Sequence, residues 1–171
     1  MKTLLEEALE SWRDARLGFL DEVRAIPARH FEFRPVPEVR SLREQVVHVL
    51  EVAMMMVGEL ARPDTDFRRA PWPKLLALYA AAAYRAKTRT ELLKLLQSQL
   101  RDGESRFRAA GEIHMLQTIL RFDGERGTRL EWLHHGIAQE MYHRGQVTTY
   151  ARLLGREPAL TKRIRAATKK T

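Results

Sequence analysis

A chain of 171 residues, 44% of them apolar, is long enough for one domain with a buried core and is not expected to be disordered as a whole. It contains no cysteine, which excludes disulfides, thiolate metal ligands and a cysteine nucleophile, so that any metal ion must be held by nitrogen and oxygen ligands. The net charge of +8 is concentrated in a basic C-terminal end, while charges of both signs are mixed elsewhere, so specific nucleic-acid binding is not expected.

The first half of the chain predicts two long amphipathic helices. The first covers about residues 4–26, where apolar residues recur three and four apart and form a single stripe. Residues 27–40 contain three prolines and predict an extended connector. Ser41 begins the second helix, because Ser41 and Glu44 have the spacing of a capping box, and its apolar stripe continues to about Leu60.

The second half predicts two further long helices and an irregular connector. A loop over residues 63–73 leads into a short helix over about 74–84. A second capping box, Thr88 to Glu91, begins the third long helix. Within residues 111–127 we expect a short strand over 113–122 and a turn at Asp123-Gly124.

A third capping box predicts the start of the last helix. Thr128 and Glu131 have the required spacing, and the helix should run to about Leu154, where Gly155 is a C-terminal capping glycine. Together the segments predict an all-α protein, an up-down-type four-helix bundle with an extra short helix and irregular connectors. The bundle should occupy residues 1–155, and residues 156–171 should form a basic tail.

The last predicted helix carries polar residues where a core face is expected. His135, Gln139 and His143 are four residues apart, and each step of four turns only about 40° around a helix, so they form one row. His48 lies within the most apolar stretch of the second helix. If His48 and His143 converge in the bundle, their imidazoles could hold zinc, nickel or iron; otherwise they are hydrogen-bonded core or surface residues.

A glycine within the last helix adds a second observation. A glycine in a helix interior costs about 1 kcal/mol relative to alanine. Gly145 therefore suggests close approach of another backbone or a ligand at this point of the helix.

An ordered set of motifs resembles the DinB/YfiT-like family. The set consists of Phe-Arg-Pro at 33–35, Ser-Leu at 41–42, His48, His-Arg-Gly-Gln at 143–146 and Leu-Leu-Gly at 153–155. Each motif is short, but their order along most of the chain matches the order in the family. The resemblance implies a four-helix bundle that holds a divalent metal between the second and the last helix.

Members of that family typically have three histidine ligands, one in the second helix and two, four residues apart, in the last. On this pattern His48 matches the first ligand and His143 the third. The middle position is Gln139, a departure that weakens the site, since an amide oxygen is a poorer ligand for these metals than imidazole. His135, one turn earlier, is the alternative ligand, whereas Glu140 projects to another face.

The resemblance implies a metal-dependent enzyme related to thiol-dependent transferases, which use bacillithiol, mycothiol or glutathione. A bound metal would lower the pKa of the cofactor thiol, and Arg144 could receive an anionic cofactor. The alternative is a non-catalytic, stress-associated bundle that acts as a binding or scaffold protein, in which His48, Gln139 and His143 hydrogen-bond one another. A homodimer is expected in either case.

The sequence predicts a cytoplasmic protein. No apolar run approaches the ~20 residues that a membrane-spanning helix needs, and acidic residues follow the first methionine within one turn, which is unlike a signal peptide.

Overall fold

The computed structural model describes residues 2–169. The helices and strands follow in chain order: α1 (Leu4–Ala25), a 3-10 turn (Ala28–His30), α2 (Leu42–Leu60), α3 (Trp72–Tyr79), α4 (Ala81–Arg85), α5 (Arg89–Ala110), α6 (Glu112–Met115), β1 (Thr118–Leu120), β2 (Arg126–Thr128), α7 (Arg129–Leu153) and α8 (Ala159–Thr168). Within this part of the chain, no helix is both long and apolar enough to cross a bilayer.

The four long helices α1, α2, α5 and α7 form the predicted bundle. Helix α1 packs beside α7 and α5, and α2 packs beside the same two helices, so that α1 and α2 lie diagonally opposite. The N-terminal halves of α1 and α7 share one apolar layer with the C-terminal halves of α2 and α5. The helices therefore run up, down, down, up in chain order, and the proline-containing connector carries the chain across the diagonal from α1 to α2.

The core consists of two apolar layers stacked along the bundle axis. One layer is built around Phe19, Leu50 and Leu96, each without exposed surface. The other contains Trp12 and Phe107, whose ring centroids are 5.9 Å apart. Burial of this apolar surface is the main favourable contribution to folding.

The predicted capping residues begin their helices. Ser41 with Glu44, and Thr88 with Glu91, form complete capping boxes. The third box is only half formed: Thr128 accepts a hydrogen bond from the Glu131 backbone N–H, but the Glu131 carboxylate binds Arg121 instead of reaching back. Gly155 has a φ of 67°, the left-handed conformation expected of a residue that ends a helix.

The connector between α5 and α7 contains a small β-hairpin. Strands β1 and β2 are antiparallel, and their turn includes Gly124. The predicted strand over 113–122 is too long, since residues 112–115 form α6 and only 118–120 are extended. The hairpin also holds the loop before α3, because the Phe67 N–H donates to the Leu120 carbonyl at 3.0 Å.

The predicted basic tail contains a docked helix. Helix α8 packs on α1, and the buried Glu22 carboxylate accepts hydrogen bonds from the first two backbone N–H groups of α8, those of Ala159 (2.8 Å) and Leu160 (3.0 Å). A carboxylate at a helix N-terminus is favoured by the helix dipole. Lys170, also assigned to the tail, lies outside the described residues.

Candidate metal centre

Histidines from two helices meet inside the bundle. His48 on α2 and His143 on α7 pack ring edge to ring face, with centroids 4.8 Å apart and planes at 79°. His143 is only 4% exposed, and the His48 side chain is 19% exposed. The structure therefore brings together the two histidines that the sequence singled out.

The hydrogen bonds of His143 fix its tautomer. Its Nδ1 lies 2.6 Å from Gln45 Oε1 and 2.9 Å from Gln146 Oε1. The Gln45 amide is oriented in turn, because its Nε2 donates to the Tyr150 hydroxyl at 3.3 Å. Since amide oxygens only accept hydrogen bonds, Nδ1 carries the proton, and Nε2 keeps a free lone pair.

His48 has an equivalent support from a carboxylate. Its Nδ1 lies 2.6 Å from Glu51 Oε1, and the other Glu51 oxygen accepts a hydrogen bond from the Tyr84 hydroxyl at 2.7 Å. Burial raises the pKa of Glu51, but the hydrogen bonds from His48 and Tyr84 outweigh it, so the pKa lies below its usual value. An ionised Glu51 holds the proton on Nδ1 and leaves Nε2 of His48 as an electron-pair donor, an arrangement common behind metal-bound histidines.

His143 is neutral at physiological pH. Burial lowers its pKa to about 4, and the electrostatic influence of His48 and of Arg40 acts in the same direction, opposed by the hydrogen bond to Gln146. A neutral imidazole is the form that binds a metal, so proton competition for His143 is weak near pH 7.

Gln139 lies one turn before His143 and has no hydrogen bond. Both its Oε1 and its Nε2 are shielded from solvent and lack a partner among the described residues. An unpaired buried amide costs roughly 1–3 kcal/mol, so a native protein rarely keeps one without a reason.

Beside the histidine pair lies an apolar cleft of about 240 Å³ between α2, α3 and α7. His48 and Gln139 belong to its wall. His135 also lies at this cleft, but its side chain is half exposed and its ring contacts Trp132, with centroids 4.9 Å apart, rather than the two histidines. Across residues 2–169, no three His, Asp or Glu side chains are grouped closely enough to hold an ion.

One interpretation of the sequence changes here. An added Cβ at Gly145 would meet no protein atom within 4 Å, so the expected close approach of another backbone at Gly145 is wrong. The close approach occurs at Gly136, where a Cβ would clash with the Met56 sulfur. Arg144 lies against Gly18 of α1.

The sequence reasoning missed a buried ion pair. Glu140 does project to another face than Gln139, as expected, but there it accepts hydrogen bonds from Arg16 (2.6 and 2.8 Å) and from the Trp12 indole (2.7 Å). Arg16 also donates to Gln99 Oε1 at 2.7 Å. One signal was available: Arg16 follows Trp12 by four residues, on the apolar stripe of α1.

The arrangement is that of a helical bundle with two adjacent imidazoles, one of which lies in the wall of an apolar cleft. Comparison with known proteins agrees with the bundle fold. The family model described as the DinB family matches residues 1–170. The chain belongs to the DinB family. A search of curated proteins finds no match.

Solved structures share the fold at low sequence identity. YfiT from Bacillus subtilis, described as a probable metal-dependent hydrolase with an unusual four-helix bundle topology, is 16% identical, with a TM-score of 0.68 over 88% of this chain and 87% of YfiT. The DinB-like protein YjoA from the same organism is 17% identical, with a TM-score of 0.64 over 87% of this chain and 92% of YjoA.

A third structure, a mycothiol-dependent maleylpyruvate isomerase, is 16% identical with a TM-score of 0.66. The match covers 86% of this chain but only 63% of the isomerase. At these identities the similarity establishes the fold.

Proposed function

We propose that this protein is a metal-dependent enzyme whose divalent ion is held by Nε2 of His48 and Nε2 of His143. The observation that carries the proposal is the pair of oriented imidazoles, each with its Nδ1 proton held by an oxygen of its own helix or of the facing helix. Neither Nε2 has a hydrogen-bond partner among residues 2–169, so both lone pairs are available.

The donor set fits a nitrogen- and oxygen-bound ion with open positions. Two imidazoles suit zinc, nickel or iron, and the unpaired Oε1 of Gln139, one turn before His143, is a candidate for a weak third donor. Because the remaining positions are left to water or substrate, the site resembles a catalytic centre more than a closed structural one. Such an ion, when bound, lowers the pKa of a water or thiol placed on it and so supplies a nucleophile at neutral pH.

The chain's own residues orient and protect this chemistry. Glu51 holds the proton of His48, and Gln45 and Gln146 hold the proton of His143, so neither ring can turn its lone pair away. The apolar cleft beside His48 gives reacting groups surroundings less polar than bulk water. Since the chain has no cysteine, a thiol nucleophile would have to be a small-molecule cofactor.

Metal analysis tests the proposal. The protein is purified without an affinity tag, depleted with EDTA, reconstituted separately with zinc, nickel and iron, and analysed for bound metal. His143→Ala is compared with His134→Ala, an exposed histidine of the same helix. We expect about one ion per chain in the wild type and in His134→Ala, and a large loss in His143→Ala.

A second variant separates binding from folding. Because His143 is buried, its loss could unfold the bundle, so circular dichroism accompanies the analysis and the less buried His48→Ala is measured as well. If the folded wild type takes up none of the three ions, the metal proposal fails. The protein would then be better described as a non-catalytic bundle that acts by binding.

A further inference from the structure

We infer that the cleft beside His48 binds a small, neutral aromatic molecule that carries a carbonyl group. The ring would lie between the tryptophans and methionines of the cleft, and the carbonyl oxygen would accept a hydrogen bond from the amide of Gln139. That this molecule is the substrate rests on the proposed metal-dependent function; that it binds does not.

The wall of the cleft is suited to an aromatic ring. Trp72, Trp132 and the thioether side chains of Met55 and Met56 line it. Sulfur–aromatic contacts are favourable, and methionine adapts to the shape of its neighbour. Tryptophan offers a large flat surface for an offset or edge-on ring contact.

The two tryptophans are held in place without a ligand. Phe122 contacts both rings, with centroid distances of 4.6 Å to Trp72 and 5.8 Å to Trp132. The position of Met56 is also set by the sequence, because Gly136 leaves room for the Met56 sulfur against α7. A rigid cleft loses little conformational entropy when a ligand enters.

The lining of the cleft favours an uncharged organic ligand. In the part of the chain that the structure describes, no Asp, Glu, Lys or Arg side chain lines it. A charged group entering an apolar cleft would lose its hydration without a partner, so a neutral molecule is favoured. A cavity of about 150 Å³ can hold benzene, and therefore 240 Å³ accommodates a ring with a short substituent.

Gln139 supplies a hydrogen-bond donor for the carbonyl oxygen of the ligand. Its Nε2 has no acceptor, so turning this side chain toward the cleft breaks no hydrogen bond, while a ligand oxygen would give the amide its first partner. Oε1 stays available to the proposed metal ion, because a glutamine amide carries its donor and acceptor on different atoms. The position that departs from the family's histidine pattern thus becomes a specificity determinant in this chain.

Two matched probes and the three tryptophans of the chain test the inference. Acetophenone and α-methylstyrene have almost the same shape, but a CH₂ replaces the carbonyl oxygen in the second. Each is titrated into the 15N-labelled full chain while the indole N–H resonances are followed, first with EDTA and then with zinc. Trp12, hydrogen-bonded to Glu140 in the core, serves as the internal reference, and Trp72→Phe and Trp132→Phe assign the other two signals.

We expect acetophenone to shift the Trp72 and Trp132 resonances saturably and to leave Trp12 unchanged. Gln139→Leu should weaken acetophenone binding by about five- to tenfold without weakening α-methylstyrene, since one hydrogen bond is lost. Gln117→Leu, at an exposed glutamine outside the cleft, should change neither affinity.

Absence of saturable shifts at Trp72 and Trp132 would overturn the inference, and so would an acetophenone affinity that Gln139→Leu leaves unchanged. The two proposals fail separately. If the EDTA-treated protein binds acetophenone but takes up no metal, the metal function is wrong and the ligand class is supported.

Discussion

Gln139 and Glu140 are neighbours in α7, yet they lie in regions of opposite character. Both Glu140 oxygens accept hydrogen bonds, from Arg16 and from Trp12, and the ion pair has almost no exposed surface. The two Gln139 amide atoms, also shielded from solvent, have no hydrogen-bond partner among residues 2–169. The bundle thus satisfies one buried polar group fully and leaves the adjacent one open.

The difference separates a structural site from a functional one. Buried charges that are paired hold the helices together, and removing one partner is costly. Buried polar atoms without a partner weaken the fold, and they are retained where a ligand completes them. Each ring of the histidine pair uses one nitrogen in a hydrogen bond and leaves the other free.

The largest effect on stability is expected from breaking the buried ion pair between Arg16 and Glu140. Glu140→Gln leaves the Arg16 charge buried without its counter-charge and should lower the free energy of unfolding by about 3–5 kcal/mol. Urea denaturation measures this, and Asp102→Asn, in an exposed ion pair with Arg106, should change it within error. An equally small effect of both substitutions would contradict the structural role of Glu140.

The pH dependence of stability tests whether His143 is buried in its neutral form. The pKa of His143 is about 4 in the folded protein, against 6.5 for an unperturbed histidine, so between these values the unfolded chain binds a proton that the folded protein does not. This contribution to stability is complete above pH 6.5 and is lost as the pH falls toward 4, by about 3 kcal/mol in total.

Urea denaturation in EDTA at pH 7, 6, 5 and 4 measures the effect. Other groups also titrate in this range, so the wild type is compared with His143→Ala, which should lose this part of the pH dependence, and with His134→Ala, which should keep it. Identical pH profiles for all three proteins would show that His143 is not buried in its neutral form.

The Gln139→His substitution tests whether position 139 can supply a metal ligand. A third imidazole one turn before His143 should raise zinc affinity by at least about tenfold over the wild type, because imidazole is a better ligand than an amide oxygen. Isothermal titration calorimetry on EDTA-treated protein measures the change, with Gln117→His as the control. An unchanged affinity would place the third coordination position elsewhere.

The smallest effect is the change in stability expected when the unpaired Gln139 amide is removed. Gln139→Leu removes two unpaired polar atoms and should raise the free energy of unfolding by about 1 kcal/mol in the absence of ligand. Urea denaturation beside Gln117→Leu measures it. A clear loss of stability instead would mean that the Gln139 amide already has a partner in solution.

The helices and their ends were predictable from the sequence because local signals mark them. Capping residues at Ser41, Thr88 and Thr128 and the glycine at position 155 lie where the corresponding helices begin or end. Their order around the bundle was not predictable. An apolar stripe shows which face of a helix is buried, but it does not identify the helix that covers it.

The candidate site was predictable in part. His48 and His143 stand out because they interrupt apolar stretches, whereas Arg16 and Glu140 look like ordinary charged residues of an amphipathic helix. The cleft could not be predicted, since Trp72 and Trp132 are 60 positions apart in the sequence and meet only through Phe122 of the hairpin connector.

The position of α1 in the bundle has a consequence for synthesis on the ribosome. Helix α1 is made first, but it packs along α7, and the carboxylate of Glu22 reaches α8 across 137 residues of sequence. At about 5–20 residues per second, the ribosome needs roughly 7 to 30 seconds to supply that partner. During this interval the apolar stripe of the nascent α1 lacks its final cover, so the bundle closes only when its last helices emerge.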